Sequence, residues 1–300
     1  MKAAVYTKVK SGKTLQILDV DKPVPKDNEV LIRICAASIN PLDWRLKSPR
    51  PGVDVAGRVE AVGRSVMRLK PGDEVFGAAR GAFAEYACAS ESKLALKPEY
   101  ISFAQAASIP IAGLTALQGI RDVGHLKAGQ RILINGAAGG VGTFAVQIAK
   151  SIGALVTGVC STRNVEQTQA LGADRVIDYT REDFVTDEQD YDVLLDNVGN
   201  RPLPAMKRVL TPRGKCVMVG APKTMGTVLA RLLEGMLRPR FKFFIAKLKK
   251  EDLEFLCSLI QTGQMTPAID KCYPFSEVAS AIAYVESGHA RAKVVINLEQ

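Results

Sequence analysis

One stretch decides the fold: Arg131-Ile-Leu-Ile-Asn135, then Gly136-Ala-Ala-Gly-Gly-Val-Gly142, then Thr143-Phe-Ala-Val-Gln-Ile-Ala-Lys150. The first part is a short apolar run typical of a buried strand, the second is a glycine-rich turn, and the third has the apolar period of a helix. Small residues in such a turn let the backbone approach a pyrophosphate, and the free N–H groups at the helix start attract its charge. The stretch therefore predicts a dinucleotide site, with a glycine turn that binds nothing as the alternative.

Strand and helix patterns alternate on both sides of this turn. Helical patterns cover residues 103–123 and 141–153, and strand patterns cover residues 131–135, 155–159, 174–177, 193–196 and 215–219. Such alternation is typical of a doubly wound parallel sheet with helices on its faces. We therefore predict an α/β domain over residues 111–255.

The N-terminal third has a different texture. Short strand patterns at 3–6, 29–37, 54–62 and 83–89 are separated by proline and glycine, as in a small barrel or rolled sheet. The C-terminal residues return to short pieces and end in a strand pattern at 293–298. We predict a β-rich domain over residues 1–110 and a C-terminal segment, 256–300, that rejoins it.

Composition limits the class of protein. The chain has 300 residues, 47% of them hydrophobic, yet it offers no run of about 18 uncharged apolar residues and no leader pattern at its N-terminus. Its six cysteines stand apart, and its two histidines, His125 and His289, have no neighbours at metal-ligand spacing. We therefore expect a soluble, cytoplasmic protein with reduced thiols and no metal site.

The formal net charge of +9 suits an anionic ligand, a nucleic acid or an acidic membrane surface. Basic residues are concentrated only around residues 231–250, where they are mixed with apolar ones. We interpret residues 241–245 as a segment packed at a domain or dimer interface with lysines turned outward. Peripheral contact with a membrane is the alternative. The lack of interleaved aromatic and basic residues argues against a nucleic-acid partner.

The choice of dinucleotide depends on the residues that follow the strand pattern at 155–159. An acidic side chain there would hold the ribose 2′-hydroxyl of NAD. This chain has Ser161, Thr162 and Arg163 instead, two hydroxyls and a guanidinium that can bind a 2′-phosphate. The sequence predicts NADPH, with a solvated Arg163 as the alternative.

Ordered motifs along essentially the whole chain resemble those of one family. They are Ser38-Ile-Asn-Pro-Leu-Asp-Trp44, Pro51-Gly-Val-Asp-Val-Ala-Gly57, Pro71-Gly-Asp-Glu-Val-Phe-Gly77, Ala112-Gly-Leu-Thr-Ala-Leu117, the loop 136–142, Leu171-Gly-Ala-Asp174, Asp196-Asn-Val-Gly199 and Gly288-His-Ala-Arg-Ala-Lys-Val-Val-Ile296. The chain resembles the quinone oxidoreductase and alkenal/enone reductase branch of the zinc-free medium-chain dehydrogenases. The resemblance implies a GroES-like catalytic domain, a Rossmann domain and a homodimer.

The resemblance also implies a reaction. Zinc-dependent relatives carry a cysteine where this chain has Asn40 and a histidine where it has Val53. Without a metal as Lewis acid, alcohol oxidation loses its main support, whereas a quinone or an electron-poor double bond can accept a hydride from the nicotinamide. The expected activity is NADPH-dependent reduction of quinones or α,β-unsaturated carbonyls. Two alternatives stay open: a zinc-free alcohol or sugar dehydrogenase, and an NADPH-binding protein that binds RNA.

Family likeness assigns roles to individual residues. At the substrate end it places Asn40, and Arg45 as an electrostatic partner of the substrate rather than an acid. Cofactor contacts are expected at Thr115, Ala137, Ala138, Gly139, Gly140, Val141, Ser161, Arg163, Tyr179, Asn197, Val198, Gly199, Gly220 and Lys293. The alternatives are packing within a helix for Thr115, filling of the sheet edge for Tyr179, a simple turn for Asn40 and a solvated charge for Lys293.

The segment between Trp44 and Pro51 is shorter than the family usually has. Relatives use a longer loop there to cover the substrate. The shortening predicts an open site that accepts bulky substrates, unless a loop has been omitted from the sequence.

Overall fold

The computed structural model describes residues 1–9, 12–45, 48–219 and 240–299, and the chain forms two compact units. The first unit comprises Met1–Ala112, Leu248–Gln261 and Pro267–Gln300, and the second comprises Gly113–Lys247 and Thr262–Thr266. The C-terminal residues thus fold mainly with the N-terminal ones. The sequence-based boundary between residues 255 and 256 falls inside a helix of the first unit.

Strands dominate the first unit, and strands alternate with helices in the second. The strands of the described residues are β1 (Lys2–Val9), β2 (Gly12–Asp19), β3 (Glu29–Ser38), β4 (Asp54–Val62), β5 (Glu74–Ala78), β6 (Tyr86–Ser90), β7 (Leu94–Leu96), β8 (Arg131–Asn135), β9 (Leu155–Cys160), β10 (Arg175–Asp178), β11 (Tyr191–Asp196), β12 (Leu210–Met218), β13 (Phe241–Phe243), β14 (Ile269–Pro274) and β15 (Lys293–Asn297). The α-helices are α1 (Leu42–Arg45), α2 (Phe103–Ser108), α3 (Pro110–Gln118), α4 (Gly140–Ser151), α5 (Val165–Ala170), α6 (Leu203–Arg208), α7 (Lys250–Gln261) and α8 (Val278–Glu286).

The sheet of the first unit brings three distant chain segments to one place. Its seven strands have the order β14-β15-β3-β4-β5-β7, and β6 also pairs with β3. Strand β3 pairs with β6 along its first half and with β15 at its end, where Ser38 lies opposite Val295. On its other side, β3 pairs with β4 so that Ser38 lies opposite Asp54. The end of β3, the start of β4 and the start of β15 therefore meet.

Apolar side chains from both ends of the chain form the core of this unit. Ile32 and Phe83 from the N-terminal part are fully buried together with Ile296 of β15. Helix α8 adds Ala281 and Ile282 to the same cluster. The C-terminal segment is thus held to the N-terminal domain by burial of apolar surface, the main stabilising contribution in a protein interior.

The second unit is built on a six-stranded parallel sheet of order β10-β9-β8-β11-β12-β13. The order runs one way from β8 to β10 and the other way from β11 to β13, so the winding reverses between β8 and β11. Loops that leave the C-terminal ends of these two strands are neighbours, and ligands of such sheets bind there. The register sets Asn135, at the end of β8, opposite Asp196, at the end of β11. The predicted doubly wound parallel sheet is confirmed.

The prediction of one continuous helix over residues 103–123 is wrong. The structure has α2, α3 and a π-helix at Gly119–Gly124 in its place. Helix α3 begins at Pro110 because a proline nitrogen has no hydrogen to donate to the preceding turn. None of the helices in the described ranges is both long enough and apolar enough to cross a bilayer.

Phe241 departs from the interpretation of residues 241–245 as an interface segment. Phe241 is buried in the core of the second unit because β13 extends the parallel sheet beside β12, with Phe241 opposite Cys216. Ile245, in contrast, is 78% exposed. Phe241 therefore packs within its own unit. The part of the basic stretch at 231–239 lies outside the described residues.

We expect Gly142→Ala to lower the free energy of unfolding by about 2 kcal/mol or more. A Cβ atom at Gly142 would overlap the carbonyl oxygen of Gly136 and lie 2.7 Å from the Cα of Ala137, so the turn would have to open. Urea denaturation followed by circular dichroism measures the loss.

The matched control is Gly139→Ala in the same turn. Its Cβ would have Gly136 O as its nearest neighbour at 3.4 Å, and Gly139 already has a φ of −82°, which alanine accepts. We expect this variant to lose less than about 1 kcal/mol. Equal losses in the two variants would contradict the packing account of the turn.

Candidate functional site

The glycine-rich loop after β8 is folded by hydrogen bonds of its own. The N–H groups of Gly136 and Ala137 donate to Val159 O at 3.1 and 3.0 Å, and the N–H of Gly139 donates to Gly136 O at 3.1 Å. Gly136 has a φ of +80°, a conformation that disfavours any other residue. The N–H groups of Ala137 and Gly139 thus both donate within the turn, and their contact with a pyrophosphate stays a prediction.

The other predicted donors lie at the start of α4. Helix α4 begins at Gly140, and its N-cap residue, Gly139, has no side chain to satisfy the first N–H groups. Such groups have no carbonyl partner within their own helix and lie at the positive end of the helix dipole. Gly140 and Val141 thus remain suited to an anion, and Ala138 precedes them in the turn. Their contact with a cofactor stays a prediction.

The turn after β11 is organised by a buried carboxylate. Asp196 Oδ1 accepts hydrogen bonds from Asn135 Nδ2 at 2.8 Å, from the N–H of Val198 at 3.1 Å and from the N–H of Gly199 at 2.9 Å. Asn197 Nδ2 donates to Asn135 O at 3.0 Å. These bonds hold the predicted residues 197–199 against the end of β8, the place where the sheet reverses its winding.

Two acceptor atoms in this turn are buried without a hydrogen-bond partner among the described residues. They are Asp196 Oδ2 and Asn197 Oδ1. A buried acceptor without a partner costs free energy, so a ligand donor at this position would be stabilised. From the sequence alone, no role was assigned to Asp196. Its position at the end of a strand next to β8 is the signal that could have identified it as a site residue.

The residues after β9 form the second part of the nucleotide region. Asn164 Nδ2 donates to Ser161 Oγ at 3.1 Å, which leaves the Ser161 hydroxyl hydrogen free to point elsewhere. Ser161 is half-buried and Arg163 is exposed. A hydroxyl donor and a guanidinium at the end of the strand are what a 2′-phosphate requires.

Sequence reasoning missed a carboxylate beside these residues. Strand β10 runs parallel to β9 with Asp178 opposite Cys160. Asp178 accepts from the hydroxyl of Thr162 at 2.6 Å and from that of Thr180 at 2.8 Å, and Arg181 lies 3.5 Å away. The hydroxyl of Thr162 holds the pKa of Asp178 below its usual value. The carboxylate of Asp178 is thus already hydrogen-bonded to two hydroxyl groups and paired with the guanidinium of Arg181.

Three more residues were predicted to contact the cofactor, and the structure describes two of them. Tyr179 follows β10 and is 55% exposed, so the alternative in which it fills the sheet edge is wrong. Thr115 lies on α3 and is half-buried. Gly220 lies outside the described residues.

The first unit contains a buried polar cluster of Ser38, Asn40, Asp54 and Lys293, each at most 3% exposed. Asp54 Oδ2 accepts from Ser38 Oγ and from Asn40 Nδ2, both at 2.8 Å. Lys293 Nζ donates to Asn40 Oδ1 at 2.7 Å, to Ile39 O at 3.1 Å and to Asp54 Oδ2 at 3.5 Å.

These contacts correct the prediction for Lys293. The solvated-charge alternative is wrong because the side chain is 3% exposed, in a strand that lies between β14 and β3 rather than at an edge. Burial lowers the pKa of its ammonium. An ammonium has three donors, and all three are used within the first unit. The predicted cofactor contact would therefore have to break one of these bonds.

Asn40 is corrected in the same way. Its amide oxygen binds Lys293 and its amide nitrogen binds Asp54, so neither polar atom is turned toward a substrate. Its backbone does form the turn before α1, because the N–H of Asp43 donates to Asn40 O at 3.0 Å. Arg45, the other predicted substrate residue, is exposed at the end of α1.

Asp43 is a further buried carboxyl at this turn. The N–H of Asn40 donates to Asp43 Oδ2 at 2.7 Å, while Oδ1 is buried without a hydrogen-bond partner among the described residues. Burial raises the pKa of Asp43 to about 7. Its charged form is therefore disfavoured in the folded protein.

Two family models match the chain. The model described as alcohol dehydrogenase GroES-like domain matches residues 26–99, and the one described as zinc-binding dehydrogenase matches residues 171–296. In the part of the chain that the structure describes, no group of three or more His, Cys, Asp or Glu side chains is placed to hold a metal ion.

Curated relatives and solved structures match the chain over nearly its whole length. The 2-methylene-furan-3-one reductase of Solanum lycopersicum is 36% identical over 99% of this chain and 79% of its own length. The chloroplastic NADPH-dependent alkenal/one oxidoreductase of Arabidopsis thaliana is 34% identical over the same shares. The structure of the quinone oxidoreductase from Coxiella burnetii superposes with a TM-score of 0.88 at 32% identity, covering 100% of this chain and 99% of that one.

We expect Asp43→Asn to flatten the pH dependence of stability. Because the folded pKa of about 7 lies above that of an unfolded aspartate, Asp43 favours the fold fully below about pH 4 and loses this contribution as the pH rises through 7. Between pH 5 and pH 8 the wild type should lose about 2 to 4 kcal/mol more than the variant, measured by urea denaturation.

The control for this experiment is Asp190→Asn, the same chemical change on an exposed side chain. This variant should keep the pH dependence of the wild type. An Asp43→Asn variant with an unchanged slope would show that Asp43 is ionised in the fold at pH 5.

Proposed function

Because the chain belongs to the quinone oxidoreductase and alkenal/enone reductase branch of the medium-chain dehydrogenase/reductase superfamily, we propose that it transfers a hydride from NADPH to quinones or α,β-unsaturated carbonyls. The observation that carries the proposal is the point where the parallel sheet reverses its winding. There the chain offers an uncapped helix start and two buried acceptors, Asp196 Oδ2 and Asn197 Oδ1, that lack partners among the described residues. The names of the relatives supply the substrate class.

The residues present fit NADPH. The start of α4 suits a pyrophosphate, the Asp196 turn suits donors of a ligand, and Ser161 with Arg163 suits a 2′-phosphate. When bound, NADPH supplies the hydride for the reaction. The contribution of the chain is to bind and orient the dinucleotide and to hold an acceptor whose own electron-withdrawing group activates it.

We also propose that the reaction uses no zinc. Position 40, where zinc-dependent relatives have a ligand, is an asparagine whose Oδ1 lies 2.7 Å from the Lys293 ammonium. A metal ion bound at this residue would lie beside a buried cation, and two such charges repel each other strongly in a medium of low dielectric constant.

A homodimer and a cytoplasmic location are further parts of the proposal. The dimer follows from family resemblance, and the position of β13 at one edge of the six-stranded sheet, followed by the exposed Ile245, is compatible with it. Light scattering on the purified protein and fractionation of cells measure the two properties.

The test of the activity is anaerobic consumption of NADPH with 9,10-phenanthrenequinone, a 2-alkenal, a cyclic enone and a simple aldehyde, with and without a chelator. We expect the quinone or an unsaturated carbonyl to be reduced at a rate that the chelator does not change. Oxidation of simple alcohols with NADP⁺ would instead indicate an alcohol dehydrogenase. Tight NADPH binding with no acceptor reduced would leave the alternative of a binding protein, which an RNA-binding assay tests.

We expect Arg163→Ala to raise the KM for NADPH about tenfold or more and to leave the kinetics with NADH unchanged, because the guanidinium is expected to meet only the 2′-phosphate. Arg175→Ala is the control, since Arg175 pairs with Asp187 at 2.7 Å at the start of β10 and has no predicted cofactor role. An equal effect of Arg163→Ala on both dinucleotides would contradict the assignment of Arg163.

A further inference from the structure

Asp54 is the common partner of the polar cluster in the first unit. Its Oδ2 accepts hydrogen bonds from Ser38 and Asn40 and contacts the ammonium of Lys293. Its Oδ1 accepts from the N–H of Ile111 at 3.0 Å. The side chain is fully buried, so these donors replace the water that the carboxyl group has lost.

The donors come from four separate segments. They lie at the end of β3, in the turn before α1, at the start of α3 and at the start of β15. Ile111 is the second residue of α3, where N–H groups have no partner within the helix and a carboxylate is favoured by the helix dipole. A single side chain thus fixes where these segments lie relative to one another.

Asp54 and Lys293 leave the Asn40 amide one orientation. Its oxygen faces the ammonium at 2.7 Å and its nitrogen faces the carboxylate at 2.8 Å. Rotation of the amide by half a turn would set the nitrogen against an ammonium and the oxygen against a carboxylate, with repulsion on both sides.

Asn40 in turn anchors α1. Its backbone exchanges two hydrogen bonds with Asp43, one from the Asp43 N–H at 3.0 Å and one to Asp43 Oδ2 at 2.7 Å. Helix α1 has only four residues, too few to be stable without such anchors, and Trp44 adds packing against the core of the first unit. The exposed Arg45 ends this helix.

We propose that Asp54 is a positioning residue of the reductase: with Lys293 as its counter-charge, it fixes the Asn40 turn and so the place of α1 and of Arg45, the residue that the family resemblance assigns to the substrate end. This inference rests on the proposed function. It assigns to Asp54 and Lys293 an effect on the acceptor that passes through Asn40, without contact between either residue and the cofactor.

The test compares Asp54→Asn and Lys293→Met with the wild type in two measurements. Fluorescence titration gives the Kd for NADPH, whose expected site lies in the second unit, and steady-state kinetics give kcat and KM for the acceptor. We expect kcat/KM for the acceptor to fall by about ten- to a hundredfold, since small displacements of positioning groups have effects of this size, while the Kd for NADPH stays within about twofold. Wild-type acceptor kinetics in a folded Asp54→Asn protein, or an equal loss of NADPH binding, would overturn the proposal.

Lys97→Met is the matched control for the loss of a buried lysine. Lys97 lies in the same unit, is 5% exposed and pairs with Glu74 at 3.0 Å. It should lower the melting temperature and leave the acceptor kinetics unchanged. An equal fall in kcat/KM for the acceptor in this control would mean that any destabilisation of the first unit lowers kcat/KM. That result would overturn the specific role of Asp54.

The double variant Asp54→Asn with Lys293→Met keeps the test decisive if a single variant unfolds. Removal of both charges leaves neither one buried without a partner, so the double variant should melt at a higher temperature than either single variant. Its acceptor kinetics should remain impaired, because the Asn40 amide is no longer oriented by charge. Recovery of wild-type kinetics in the double variant would overturn the proposal.

A measurement that needs no turnover separates this inference from the proposed function. In the wild type the side-chain NH₂ protons of Asn40 should exchange slowly with solvent in NMR spectra, and in Asp54→Asn they should exchange much faster. Fast exchange in the wild type would overturn the cluster itself. Slow exchange in a wild type that reduces no acceptor would overturn the proposed function, and with it the positioning role of Asp54, while the orientation of Asn40 stands.

Discussion

A carboxyl group can be buried at low cost only where donors replace its hydration, and Asp54 meets this condition with donors from four segments of the first unit. The same place is a junction of the sheet, since β3 pairs with β6 as far as Arg33 and with β15 from Ala36 to Ser38. Removal of one donor would leave the carboxyl group, or the ammonium of Lys293, without its partner. The geometry of the Asn40 turn and of α1 is therefore a consequence of one satisfied buried charge.

The second unit follows a comparable rule with a different outcome. Asp196 also organises its turn with three hydrogen bonds, but only through Oδ1. Its Oδ2 and the Oδ1 of Asn197 remain buried without partners among the described residues. The Asp54 carboxylate of the first unit is thus satisfied through both oxygens, whereas the Asp196 turn of the second unit contains two buried acceptors without partners among the described residues. This difference supports structure maintenance for the first and dinucleotide binding for the second.

The sequence predicts local features well and distant pairings poorly. The glycine-rich turn, the parallel sheet and the absence of a carboxylate directly after β9 depend on neighbouring residues, which pattern reasoning detects. The partner of Lys293 is Asp54, 239 positions away, and only the register of β3 with β4 and β15 brings the two together. Asp178 was missed from the sequence for the same reason, because this residue lies beside the end of β9 only through the pairing of β10 with β9.

The central claim is that NADPH delivers a hydride directly to the activated carbon of the acceptor without a metal. The most direct measurement is reduction of a 2-alkenal in chelator-treated buffer by NADPH that carries deuterium at both C4 positions, with the product analysed by NMR. We expect one deuterium per molecule at the carbon β to the carbonyl. Deuterium at the carbonyl carbon would indicate alcohol dehydrogenase chemistry, and a product without deuterium would contradict direct transfer.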